Sequence, residues 1–199
     1  IGKNVAQNLY KLGNVFFSSG KYTTAENIFS ESLKFVNDKS VRILIDIKLL
    51  NVYEKFGKAR SHLKICNELK SFYERNLLNS EQKKNLIYHI KKMSAILQKQ
   101  VANKKQKRNK KSIKEKSALA IEYFKILARI EKNGAPRIYF LVAETHYAAG
   151  QFSKAVKYYD LSYESSKRRK NKKFARLSLN GLLAALGAGS IDAATKKSY

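Results

Sequence analysis

The chain has 199 residues, of which 44% are hydrophobic, and its 41 basic and 15 acidic residues give a formal net charge of +26. This length is sufficient for a sizeable hydrophobic core, but no run of about eighteen apolar residues occurs, so the sequence predicts no membrane-spanning helix. The single cysteine, Cys66, excludes an internal disulfide framework and a cysteine-only zinc site.

The positive charge admits two explanations. A strongly basic chain often binds a polyanion such as nucleic acid or an anionic membrane. The chain is also rich in Lys, Asn and Ile, the residues that AT-rich codons favour, and such a genome produces basic proteins without a polyanionic partner. Composition alone leaves both explanations open.

The stretch from Leu9 to Leu33 contains two apolar-periodic segments separated by a short turn at Gly20. Apolar and small residues recur at helical spacing in both segments: Leu9, Leu12, Gly13 and Phe16 in the first, and Ala25, Phe29 and Leu33 in the second. A glycine inside a helix costs about 0.5–1 kcal/mol relative to alanine. Gly13 therefore predicts that a second helix approaches closely, with the small side chain of Ala25 facing it.

This pattern closely resembles the tetratricopeptide repeat, a helix-turn-helix unit with a period of about 34 residues. The first copy is carried by Leu9, Leu12, Gly13, Phe16, Gly20, Tyr22, Ala25 and Phe29. A second copy is carried by Tyr139, Val142, Ala143, Tyr147, Gly150, Phe152, Ala155, Tyr159 and Ser162. The resemblance implies an all-α solenoid that stacks helix pairs side by side.

With that period, the chain is predicted to form one superhelical domain over residues 1–199. Its repeats fall near 6–39, 40–73, an irregular unit at 80–134, 136–169 and a partial unit at 172–199, with small anchors at Ala59, Ala120, Ala155 and Ala194. Asp46 interrupts the apolar face of the second unit, and Ser80 is a candidate cap for the long third unit. About ten helices are expected, over 4–18, 22–36, 40–55, 59–76, 80–102, 112–132, 136–149, 152–167, 172–187 and 190–199.

Two basic runs coincide with departures from the period. The first contains Lys104, Lys105, Lys107, Arg108, Lys110 and Lys111, and the second contains Lys167, Arg168, Arg169, Lys170, Lys172 and Lys173. Insertions in a solenoid lie in loops at its edges. These two runs are expected at opposite edges, which argues against one continuous nucleic-acid groove.

Motifs for catalysis or metal binding have little support. His62 and Cys66 are four residues apart on one predicted helix, but no third ligand lies near them in sequence, so Cys66 is predicted to be a packing residue and His62 a surface or rim residue. His89 and His146 stand alone, and the repeat position of His146 predicts a partly buried structural role. No hydrolase, metalloprotease or paired-cysteine motif occurs. We therefore predict no enzymatic activity, no cofactor and no metal.

The resemblance implies that the first helix of each repeat lines a concave groove for peptides or helices of other proteins. By repeat position the groove residues would be Tyr10, Asn14, Phe17, Leu44, Lys48, Phe140, Glu144 and Tyr147. Burial of these side chains by neighbouring helices is an open alternative. An apolar, partly basic groove suits an amphipathic helix or an acidic-hydrophobic segment.

The sequence therefore predicts a protein-binding scaffold or adaptor, with RNA or DNA binding through the basic runs as the alternative and membrane-surface contact only indirect. The chain begins at Ile1 rather than methionine, and we expect it to be a piece of a larger bacterial protein. Such scaffolds work in the bacterial cytoplasm or in the periplasm and cell envelope, including envelope and flagellar assemblies, and the sequence does not choose among these locations.

Overall fold

The computed structural model describes residues 2–103 and 109–188, and every regular element in those ranges is helical. The helices are α1 (Gly2–Ser18), α2 (Tyr22–Phe35), α3 (Lys39–Phe56), α4 (Ala59–Glu74), α5 (Ser80–Ala102), α6 (Lys110–Ile130), α7 (Ala135–Ala148), α8 (Phe152–Arg168) and α9 (Lys172–Gly187). The predicted all-α fold is confirmed. None of the helices in this part of the chain is long and apolar enough to cross a membrane. The predicted tenth helix, 190–199, lies outside the described residues.

The chain divides into two compact units, residues 1–90 and 91–199. In the first unit, α2 packs against α1 and α3, and α4 packs against α3. In the second unit, α7 packs against α6 and α8, and α9 packs against α8. The consecutive helices α1 to α4, and likewise α6 to α9, are therefore neighbours in space, as helix-turn-helix repeats of the tetratricopeptide type are.

The turn after α1 is closed by two backbone hydrogen bonds. The Gly20 N–H donates to the carbonyl of Phe17 at 3.1 Å, and the Lys21 N–H donates to the carbonyl of Phe16 at 2.9 Å. The turn around Gly150, after α7, repeats this pattern. Both glycines have a positive φ, +76° and +72°, the left-handed conformation that glycine adopts without a steric penalty. A glycine at this position therefore ends one helix and lets the next begin two residues later.

The contact between α1 and α2 depends on the missing side chain of Gly13. A Cβ atom at Gly13 would lie 2.5 Å from Cε1 of Phe29, whose side chain is fully buried. Ala25 is also fully buried, but the group that fills the space at Gly13 is the Phe29 ring, one turn further along α2. The second unit repeats the device, because a Cβ at Gly181 on α9 would overlap the ring of Tyr159 on α8.

A buried serine links the two helices of each well-matched repeat. In the first unit, Ser32 Oγ on α2 donates to the carbonyl of Ala6 on α1 at 2.8 Å. In the second, Ser162 Oγ on α8 donates to the carbonyl of Pro136 on α7 at 2.7 Å. Both bonds span 26 residues and both serines are fully buried. Because a buried hydroxyl without a partner is costly, the bond favours one register of the pair.

The start of α5 differs from the prediction. Asn79, not Ser80, caps this helix: the Gln82 N–H donates to Asn79 Oδ1, and the Asn79 N–H donates to Gln82 Oε1, both at 2.9 Å. This reciprocal arrangement satisfies two backbone donors at once, whereas a serine cap satisfies one. It also places the first turn of α5 beside α3, where the candidate site lies.

Gly13→Ala is expected to destabilise the protein by about 1–3 kcal/mol, because the new methyl group meets a buried ring that has no free space to enter. The measurement is the free energy of unfolding from denaturant titration followed by circular dichroism. Gly187→Ala, at the end of α9, is the control, since among the described residues no atom outside the adjoining backbone of α9 lies within 4 Å of its added Cβ. The control should be neutral or more stable by up to about 1 kcal/mol. Equal effects of the two substitutions would contradict the close approach at Gly13.

Candidate functional site

Three of the predicted groove residues meet around one cavity in the first unit. Tyr10 from α1 and Leu44 and Lys48 from α3 line a cavity of about 380 Å³. Asn51 of α3 also lines it, and the other wall, formed by the cap and first half of α5, is polar and aromatic, with Asn79, Glu81, Gln82, Asn85, Tyr88 and His89. Tyr10 and Leu44, which are 34 residues apart on successive first helices, therefore line the same cavity.

The cavity combines apolar contact surface with hydrogen-bonding groups. Leu44 is 40% exposed and Tyr88 is 56% exposed, so both present apolar area to solvent. Lys48 lies beside them, with its Nζ 5.6 Å from the ring centroid of Phe17. Side-chain amides on the other wall can donate to and accept from a peptide backbone. An occupant with one or two apolar side chains, and with a negative charge beside Lys48 and away from Glu81, fits this lining.

The other two groove residues predicted for the first unit, Asn14 and Phe17, do not line this cavity. The Phe17 ring packs edge-on against Tyr22, with 5.3 Å between the ring centroids. Asn14 is half-buried, and its Oδ1 has no hydrogen-bond partner among the described residues. Phe17 therefore serves the turn between α1 and α2, in line with the open alternative of burial by neighbours.

In the second unit the predicted residues take part in packing. Phe140 and Glu144 line a smaller cavity of about 310 Å³. The Phe140 ring centroid lies 5.8 Å from that of Tyr159, and the Tyr159 hydroxyl donates to Glu144. Burial and this hydrogen bond raise the pKa of Tyr159. Tyr147 packs edge-on against Phe152 at 5.4 Å and does not line the cavity.

The basic residues lie at the beginnings and ends of helices. Lys104, Lys105, Lys107 and Arg108 fall outside the described residues, whereas Lys110 and Lys111 begin α6 and are exposed. The whole second run is exposed around the turn between α8 and α9: Lys167, Arg168, Arg169, Lys170, Lys172 and Lys173. Lysines in the first turn of α6 and of α9 meet the positive end of the helix dipole, so their own helices do not stabilise their charge.

Two predictions about the histidines are wrong. His62 is fully buried rather than at a surface or rim, and His89 does not stand alone. Ring nitrogens of both lie with a carboxylate oxygen of Glu54 in a group whose atoms are all within 4.8 Å of one another. The three residues come from α4, α5 and α3, so no short sequence spacing reveals the cluster. A weak signal was present, since His62 and His89 both fall on otherwise apolar helix faces.

His146 and Cys66 occupy the packing positions that the sequence predicts. His146 on α7 is buried, with its Nδ1 2.7 Å from Gln151 Oε1, and burial lowers its pKa. Cys66 on α4 is fully buried, and burial raises the pKa of its thiol. A buried neutral thiol is a poor nucleophile, since the thiolate is the reactive form.

A second buried carboxyl group in the first unit, besides Glu54, belongs to Asp46. Asp46 on α3 is fully buried, and its Oδ2 is 3.6 Å from Nε of Arg42. Arg42 also forms an ion pair with Glu68 on α4, with 2.5 Å between Nη2 and Oε2. Burial raises the pKa of Asp46 from 3.8 to about 7, while the charge of Arg42 lowers it and that of Glu68 raises it. Near neutral pH, Asp46 is therefore in exchange between its protonated and charged forms.

Comparison with known proteins adds little. The chain matches no protein-family model, and no curated protein has a significantly similar sequence. A solved structure described as the functional characterisation of Pseudomonas aeruginosa pilF is 16% identical over 99% of this chain and 98% of that chain, with a TM-score of 0.26. A TM-score this low carries no inference about fold or function.

Asp46→Asn should change how stability depends on pH. The folded-state pKa of Asp46 lies above that of the unfolded chain, so its contribution to stability is complete below about pH 4 and is lost as the pH rises to about 7. Asparagine does not titrate, so the variant lacks this loss of stability between about pH 4 and pH 7. The unfolding free energy of the variant minus that of the wild type should therefore rise by about 2–4 kcal/mol between these pH values.

The measurement is urea unfolding of both proteins at several pH values across that window. Taking the difference cancels the contributions of all other titrating groups. A difference that stays constant across the window would show that Asp46 is charged throughout.

Proposed function

We propose that this chain is a non-catalytic scaffold that binds a segment of another protein in the groove of its first unit. The supporting observation is the cavity where Tyr10, Leu44 and Lys48 converge. These residues come from the first helices of two consecutive repeats, the positions that the tetratricopeptide resemblance assigns to partner binding. The same resemblance supports a place in a bacterial multiprotein assembly.

The partner segment is proposed to be apolar and acidic. Exposed Leu44 and Tyr88 supply apolar contact area, and a cavity of about 380 Å³ is large enough to take an anchoring side chain from the partner. The net charge of +26 attracts acidic segments and raises their rate of association. Amide groups of the opposite wall hydrogen-bond polar groups of the segment. An amphipathic helix with acidic flanks or an acidic-hydrophobic strand of chain meets these requirements.

The alternative is binding of RNA or DNA through the two basic runs, at residues 104–111 and 167–173. It predicts binding of mixed-sequence oligonucleotides that weakens steeply with salt, because each neutralised phosphate releases counterions. Replacement of Lys104, Lys105, Lys107, Arg108, Lys110 and Lys111 by glutamine should then abolish that binding. No oligonucleotide binding at low salt would exclude this alternative.

Peptides selected from a random display library on the immobilised wild-type chain should be rich in acidic and large apolar residues. Leu44→Glu should weaken the binding of these peptides by at least about tenfold, or about 1.4 kcal/mol, since it puts a charge into the apolar part of the groove and repels acidic ligands. Fluorescence polarisation measures both affinities.

Leu179→Glu on α9 is the matched control, because Leu179 is 44% exposed and Leu44 is 40% exposed. The control should bind the selected peptides as the wild type does. Selection of basic peptides, or equal affinity of both variants, would contradict the proposed groove.

A further inference from the structure

Three buried side chains converge in the first unit, and one of them, His89, also lines the cavity of the proposed groove. Glu54 comes from the last turn of α3, His62 from the first turn of α4 and His89 from the middle of α5. His62 is fully buried and His89 is 3% exposed. The Glu54 side chain is 6% exposed. Placing a carboxylate here is costly unless positive charge accompanies it.

The distances between the ligand atoms of the cluster are close to those in a metal site, except that a proton shared by His89 and Glu54 stands where the metal would be. Glu54 Oε1 lies 3.6 Å from Nε2 of His62 and 2.5 Å from Nδ1 of His89. Ligand atoms around a tetrahedral zinc ion, bonded at about 2.1 Å, are roughly 3.4 Å apart. The first distance, 3.6 Å, is close to this value. The second is a short hydrogen bond, and an ion that displaces its proton requires those two atoms to separate by roughly 0.9 Å.

Cys66 orients one of the ligands. Its Sγ lies 3.5 Å from Nδ1 of His62, one helical turn away on α4. With Nδ1 directed at the sulfur, Nε2 of His62 is directed at Glu54. A second group that holds the far nitrogen of a histidine is the usual support of a metal ligand. Cys66 is therefore a positioning residue in this arrangement rather than a ligand.

Access and a fourth coordination position come from the cavity. His89 lines the cavity of about 380 Å³ that holds the candidate groove, whereas Glu54 and His62 do not. The cavity side of His89 is therefore the side from which an ion, and a water molecule in the fourth position, would approach the cluster. Two imidazoles and one carboxylate are the ligands that catalytic and regulatory zinc sites use, whereas Mg²⁺ and Ca²⁺ take oxygen ligands almost exclusively.

The geometry points to a binding site for a divalent transition-metal ion of the zinc class, formed by Nε2 of His62, Nδ1 of His89 and a carboxylate oxygen of Glu54. Binding replaces the proton between His89 and Glu54 with the metal ion, and that proton leaves to solvent. Affinity therefore falls as the pH is lowered, because protons compete for the same nitrogen and oxygen atoms. Non-specific cation binding is disfavoured by a net charge of +26.

Isothermal titration of the full chain with Zn²⁺ tests this site, together with the visible absorption of Co²⁺, which reports ligand geometry. The wild type should bind one equivalent, with proton uptake by the buffer and a raised melting temperature. His89→Gln and His62→Asn should each lower the affinity for Zn²⁺ by at least about tenfold. His146→Gln is the control: it removes the third and last histidine of the chain, in the second unit, and should bind as the wild type does.

Circular dichroism shows whether each variant is folded. If one of the two ligand variants does not fold, the other still tests the site. Absence of Zn²⁺ binding to the folded wild type would overturn the site. Binding that is unchanged in a folded His89→Gln or His62→Asn variant would do the same, and the cluster would then be a hydrogen-bonded core network. Loss of peptide binding by the groove has no bearing on either outcome.

Discussion

Much of the first unit depends on the absence of one side chain. Gly13 lets α1 approach α2 until the Phe29 ring occupies the space where a Cβ would stand. The ring then contributes its full apolar area to the core, and Ser32 adds a buried hydrogen bond to the carbonyl of Ala6. Packing of this density tolerates no added methylene without displacement of its neighbours. The second unit uses Gly181 of α9 and the Tyr159 ring of α8 in the same way. This contact lies between two repeats, whereas that of Gly13 lies within one repeat.

This packing positions the candidate groove. The Phe29 ring also packs against Tyr10, with 6.1 Å between the ring centroids, so the spacing of the helices affects the position of Tyr10. Tyr10 then shares its cavity with Leu44 and Lys48 of α3, a helix that packs against both α1 and α2. The reciprocal cap of Asn79 and Gln82 completes the cavity wall. The cavity is therefore a consequence of the helix packing, and the partner chemistry that we propose follows from the few exposed groups at its edge.

The sequence predicts what depends on local periodicity. Helix positions, the glycine turns and the convergence of Tyr10 with Leu44 follow from spacing along one or two helices, and the structure shows them. The contact partner of Gly13 was assigned to Ala25 because both are small, whereas the space is filled by the larger Phe29. The cluster of Glu54, His62 and His89 joins three helices over a span of 35 residues, so no motif spacing could show it. Its three polar side chains come together only when the three helices pack against one another.

The most direct test of this packing is a double-mutant cycle between Gly13 and Phe29, measured as free energies of unfolding. If the ring occupies the space at Gly13, Phe29→Leu opens room for a methyl group. Gly13→Ala should then lower the free energy of unfolding much less in the Phe29→Leu protein than in the wild type. The expected coupling energy between the two substitutions is about 0.5–3 kcal/mol. Strictly additive effects of the two substitutions would contradict the account, because they would show that the two residues do not share that space.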